Sequence, residues 1–130
     1  MNAPQHFETG DGYARFTPVG QYTLKQAIEL IASAIQFAAR QHTERLLVNA
    51  IGLEGFGPPG TFDRYYFAKE FAASANPSMK IAFVFQARLI DVQKFGVLVA
   101  ANRGLNSNVF SDEQDALAWL LSDTENPPAS

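Results

Sequence analysis

Arg45-Leu46-Leu47-Val48-Asn49-Ala50-Ile51 and Lys80-Ile81-Ala82-Phe83-Val84-Phe85 are two short apolar runs. Each is too brief for a stable helix, and neither shows the in-out alternation of a half-exposed strand. Such runs fit strands buried on both faces, which belong to sheets with helices packed above and below. The segment between them supports that reading. Residues 52–60 hold Gly52, Gly55, Gly57, Gly60 and the pair Pro58-Pro59, which reads as a stiff loop with flexible joints. Residues 61–75 then read as a helix, stopped by Asn76-Pro77. Strand, loop, helix, strand is the repeating unit of a parallel sheet.

Working outward, residues 6–9 and 13–19 are short extended runs around Gly10-Asp11-Gly12, a hairpin signal. Pro18 suggests that the second run ends or bulges there. Thr23 followed by Gln26 matches a capping box. The helix it opens places Leu24, Ala27, Ile28, Ile31, Ile35 and Ala38 on one face and Lys25, Glu29, Ser33, Gln36 and Arg40 on the other. Toward the C-terminus, residues 89–103 read as a third helix ending at Gly104, and residues 108–110 as a last strand. Ser111 with Gln114 predicts a second capping box, opening a helix through Leu121 that packs with Ala116, Leu117, Trp119 and Leu120. The order β-β-α-β-α-β-α-β-α predicts an α/β domain with a single, mostly parallel mixed sheet, an N-terminal hairpin and four helices. Residues 1–125 are expected to form this one domain, with residues 126–130 as a frayed tail.

Composition narrows the functional classes. A chain of 130 residues with 47% hydrophobic and 18% charged residues is globular and suffices for one ordinary core. Cysteine is absent, which removes disulfides, thiolate nucleophiles and thiolate metal sites and suits a reducing, cytoplasmic compartment. The N-terminal residues show neither the basic nor the apolar region of a secretory signal. With a net charge of −3 and ten scattered basic residues, no concentrated basic face is available for nucleic acid.

The ordering of these segments resembles the STAS superfamily, and more closely its SpoIIAA-like branch, which has been likened to the lipid-binding Sec14 fold. The resemblance is carried by Leu46-Leu47-Val48-Asn49, the loop leading to Thr61-Phe62-Asp63-Arg64-Tyr65, the strand from Lys80, and Val109-Phe110-Ser111-Asp112 running into Ala116-Leu117-Ala118-Trp119-Leu120. It implies a binding or signalling domain with no catalysis. Classical anti-sigma antagonists of this kind carry an Asp-Ser-Ser/Thr-Gly phosphorylation motif where the second helix begins. Pro59-Gly60-Thr61-Phe62 stands there instead, which puts the phosphoswitch and its partners in doubt.

The residues themselves offer little chemistry. His6 and His42 have no acid or second histidine at ligand spacing, so neither a metal nor a catalytic role is assigned. Glu113 and Asp115, like Asp63 and Glu70, read as solvated helix-surface carboxylates. Gly55-Phe56-Gly57-Pro58-Pro59-Gly60 fits Gly-x-Gly-x-x-Gly, but two prolines remove backbone donors that a phosphate would need. No cofactor is expected. Thr61 reads as the N-cap of the second helix, with a phosphoacceptor role as the alternative.

That helix carries more aromatics than one core-facing stripe requires. Tyr65 joins Ala68, Phe71, Ala72 and Ala75 on a face suited to the sheet, while Phe62, Tyr66 and Ala73 lie roughly opposite. Either neighbouring segments cover these rings, or they form a surface for a ligand, membrane or partner. The expectation is a non-enzymatic domain that binds an apolar small molecule or lipid. Phe56, Phe62, Tyr65 and Tyr66 are the candidate ligand-binding residues, with a cavity beneath Phe56, Phe62 and Tyr66. Peripheral membrane contact and a homodimer are further possibilities. The alternative is a protein–protein signalling module related to anti-sigma-factor antagonists, without the usual phosphorylation motif.

Overall fold

The computed structural model describes residues 3–91 and 93–122. In chain order the elements are β1 (Phe7–Gly10), β2 (Tyr13–Phe16), β3 (Gly20–Gln21), α1 (Leu24–Arg40), β4 (Arg45–Asn49), β5 (Leu53–Glu54), α2 (Thr61–Ser74), β6 (Lys80–Val84), α3 (Phe95–Asn102), β7 (Asn106–Phe110) and α4 (Glu113–Leu121). The main sheet runs β1-β2-β4-β6-β7. Its β1–β2 hairpin is antiparallel, and the other pairings are parallel. The expected architecture of a mixed sheet and four helices is therefore present. One addition was not foreseen: β3 and β5 form a separate two-stranded parallel ribbon.

Alternate residues of each central strand face opposite layers, as the pleat requires. Leu46, Val48, Ile81 and Phe83 join Ile28, Ile31 and Ile35 of α1, Ala68 and Phe71 of α2, and Ala100 of α3 in one buried cluster. Leu47, Ala82 and Val84 join Ala116 and Leu120 of α4 in a second. Three helices thus cover one face and α4 covers the other. The aliphatic residues of β4 and β6 that seemed too apolar for a surface strand are buried from both sides.

Local signals explain most boundaries and three departures. The capping box of α1 forms in full: Gln26 N–H donates to Thr23 Oγ1 at 3.1 Å and Thr23 N–H to Gln26 Oε1 at 3.0 Å. At α2, however, Gly60 is the N-cap and Thr61 is the first helical residue, which corrects the N-cap reading of Thr61. The cause is Asp63, whose carboxylate accepts the Gly60 N–H at 3.0 Å and fixes the start one residue earlier. At α4 the cap is Asp112 rather than Ser111, its carboxylate accepting Asp115 N–H at 3.0 Å. An aspartate is as good a cap as serine and adds a charge favoured by the helix dipole.

The third departure is larger. In place of one helix over residues 89–103, a 3₁₀ turn covers Ala87–Leu89, Ile90 is extended, and Lys94 is left-handed with φ 52°. Only from Phe95 is the chain α-helical. The Asp91 carboxylate accepts Phe95 N–H at 2.9 Å and so begins the helix late, an instance of a short polar side chain competing with the helical backbone. The expected terminus at Gly104 is present, with φ 89°. Gly104 N–H donates to Ala101 O and Leu105 N–H to Ala100 O, the paired bonds of a Schellman motif. Val92, part of the expected third helix, and the expected tail lie outside the described residues.

Candidate ligand cavity

The four aromatic candidates do not meet. Phe62 projects from the first turn of α2 at 90% exposure. Tyr65, expected on the sheet-facing side, is 44% exposed, and its hydroxyl accepts from the Arg103 guanidinium at 2.7 Å. Tyr66, 38% exposed, borders a polar groove between α1 and α2 with Glu29, Ser33 and Glu70. Phe56 alone turns inward, beside Leu53, Phe67, Phe71 and Phe85. Thr61 is exposed.

The loop before α2 is fastened over its first half. Gly20 N–H donates to Gly52 O at 3.1 Å and Tyr22 N–H to Glu54 O at 2.8 Å, while the Gln21 amide donates to the Glu54 carboxylate at 3.0 Å. Gly55 has φ 107°, and a Cβ there would lie 2.5 Å from Tyr22 O, so only glycine fits this crossing. From the neighbouring strand end, the Gln86 amide donates to Ile51 O at 3.1 Å.

Behind that loop four rings stack in sequence. Phe67 meets Phe71 with centroids at 5.6 Å, Phe71 meets Phe83 at 5.2 Å, and Phe83 meets Phe85 at 5.9 Å. On one side of the stack lies a cavity of about 60 Å³ between α2, α3, β6, β7 and residues 89–91 and 94, its wall mostly apolar. On the other side lies a second, of about 40 Å³, floored by α1 and closed by Phe56. Phe67, Phe71 and Phe85 line both.

Four residues bring polar groups to the larger cavity: Arg64, Asp91, Lys94 and Ser107. Arg64 donates to Leu89 O at 3.3 Å, a long bond that leaves most of its donors available. Asp91 is committed to capping α3. Lys94 donates to Asn108 Oδ1 at 2.7 Å and sits over the Phe110 ring, and burial pushes its ammonium below the ordinary lysine value. Ser107 is the unusual one. It pairs in register with Ile81, on the three-helix face, is 2% exposed, and brings its hydroxyl to the cavity wall. A hydroxyl in a mostly apolar wall offers a donor and an acceptor to a polar atom of a ligand or a water.

Sequence reasoning missed Ser107, Arg64 and the Phe83–Phe85 pair as cavity residues. The available signal was the third helical segment, whose apolar residues spread around the axis. That spread accompanies the lining of the cavity by Leu89, Ile90, Val97 and Ala100. Among the described residues no group of three His, Cys, Asp or Glu could hold a metal ion, and no helix is long and apolar enough to cross a membrane.

The molecule is thus an α/β domain with a mixed five-stranded sheet, three helices on one face and one on the other. Among solved structures it is similar to an uncharacterized protein from the DUF3478 family with a SpoIIAA-like fold, from Shewanella loihica PV-4. That likeness has 23% identity and a TM-score of 0.44 and covers 88% of this chain and 90% of the other. No family model matches the chain, and no curated protein matches it.

Proposed function

We propose that the domain works by binding, and that its ligand is an apolar or amphiphilic small molecule, such as a lipid, held between α2, α3 and the sheet. The observation that carries this reading is the mostly apolar cavity with a few polar groups, among them the Ser107 hydroxyl, in its wall. Ligand pockets typically combine such apolar walls with a few polar groups that orient the occupant. The site lies deeper than the aromatic surface expected from sequence. Of the four aromatics, Phe56 borders the adjoining cavity, while Phe62, Tyr65 and Tyr66 remain outside as candidates for contact with a membrane or partner.

Native mass spectrometry of freshly purified protein tests this reading and counts associated copies in the same spectrum. A small amphiphile bound one per chain is the expected result. Chains that carry nothing, and that bind no saturated fatty acid or alcohol in titration, would overturn it.

A second reading, a protein-interaction module, is favoured by one observation: Phe62 stands 90% exposed beside the exposed Thr61. Phe62→Glu should then abolish association with the partner while leaving cavity binding unchanged. Phosphate on Thr61 after incubation with lysate and ATP would support a phosphorylation switch within this reading.

A further inference from the structure

The two cavities are each small for a ligand. About 60 Å³ and 40 Å³ give room for only a few water-sized groups each, against the roughly 300–1,000 Å³ of usual small-molecule pockets. They are nevertheless neighbours, because Phe67, Phe71 and Phe85 line both. These three phenylalanines are the part of the wall that the cavities share.

The three rings are not equally fixed. Phe71 is 4% exposed, with Phe67 on one side and Phe83 on the other. Phe85 sits on backbone tied to the sheet, its N–H donating to Phe110 O at 3.0 Å. Phe67 ends the stack, is only half-buried, and has one ring neighbour. It rests against Gly96 of α3, where a Cβ would lie 2.8 Å from its Cε1. At that point of the α2–α3 seam the opposing helix offers no side chain, so the Phe67 ring itself closes the gap.

Building on the binding reading above, we infer that the two cavities are halves of one site for a linear apolar chain, and that Phe67 is the residue that sets how long a chain it accepts. With the ring as it stands, a short chain fills the compartment beside Ser107. A longer chain displaces the ring and runs on toward Phe56. Phe67 is a specificity-determining residue because its displacement costs stacking with Phe71 that only a long ligand incurs.

Saturated fatty acids from hexanoate to palmitate, each below its micelle threshold, titrated calorimetrically into wild type and Phe67→Ala, test the inference. Each buried methylene should strengthen binding by roughly fourfold until the chain meets the ring. In wild type the gain should then level off, whereas in Phe67→Ala it should continue for several more methylenes. Phe67→Leu, a milder truncation, should extend the gain less far and serves if the alanine variant does not fold. Curves that level off at the same chain length in wild type and variants would overturn the role of Phe67 while leaving the binding reading intact. No binding of any chain length by wild type or variant would overturn the binding reading and this inference with it.

Discussion

The two faces of the sheet are held by different physics. On the α4 face, polar side chains rising from the strands grip the helix at both ends. The Lys80 ammonium donates to Trp119 O at 2.6 Å and Ser122 O at 2.8 Å, and lies 4.4 Å from the Trp119 ring centroid. Arg45 donates to Leu120 O at 3.0 Å. At the other end Arg15 pairs with Glu113, whose second oxygen accepts from the Asn49 amide at 2.6 Å. The Lys80 and Arg45 contacts satisfy carbonyls at the C-terminal end of α4 with cations, where the helix dipole favours them. On the three-helix face α2 and α3 rest on stacked rings around two cavities, with a long bond from Arg64 to Leu89 O and the exposed Arg103–Tyr65 bond as polar ties of α2. The α4 face anchors the sheet, whereas the three-helix face has space to accommodate a guest.

Breaking the anchor should cost most. Lys80 is 8% exposed, and Lys80→Ala removes the charged bonds to Trp119 O and Ser122 O, leaving Trp119 O its bonds from Ser122. The expected loss is about 3 kcal/mol, near the upper end for hydrogen bonds to a charged group, read from the urea midpoint. Lys80→Met, which keeps the apolar stem, should recover part of that loss. If both variants unfold at the parent's midpoint, α4 is held by apolar packing alone and the contrast between the faces disappears.

On the other face the sign reverses. Ser107→Ala takes a hydroxyl out of a mostly apolar cavity wall, so it should raise stability by about 1 kcal/mol in ligand-free protein. Thermal melts of ligand-free protein measure this. A destabilised variant would mean that the hydroxyl is already satisfied by water. Thr23→Ala should lose about 1 kcal/mol, because both bonds of its capping box are formed. Thr61→Ala, at a helical position without capping duty, should stay within about 0.5 kcal/mol of the parent.

How far the fold was legible follows the same division. The helix α1 could be read nearly residue by residue. Its apolar stripe has one side to pack against, and its capping box is a local device independent of the rest of the chain. The central strands were legible because burial on both faces leaves an uninterrupted apolar run. The segment 89–103 was not, since residues around a cavity are apolar in several directions and mask the late start set by Asp91. Of the candidate site, the region around α2 was visible as an excess of aromatics, but which rings turn inward was not. Tyr65 points away because the Arg103 guanidinium, far along the chain, offers its hydroxyl a partner outside. The contribution of Ser107 depends on strand register, which no local pattern encodes.

A last pair of effects concerns two helix ends that use one motif with different residues. At the end of α3, Gly104 takes the left-handed position at φ 89°. At the end of α1 the same place belongs to His42, at φ 58°. His42 N–H donates to Ala39 O and Thr43 N–H to Ala38 O, the bond pair that Gly104 and Leu105 make in α3. A side chain in that conformation is strained by its Cβ against the following carbonyl, a cost of roughly 1 kcal/mol that glycine escapes. Glycine in turn loses more entropy on folding, which offsets part of the gain. His42→Gly should therefore stabilise the domain by about 0.5 kcal/mol, and Gly104→Ala should destabilise it by about 1 kcal/mol. Urea titrations of the two variants in parallel check the pair. If His42→Gly proves destabilising, the imidazole makes a favourable interaction with the end of α1 that outweighs its backbone strain.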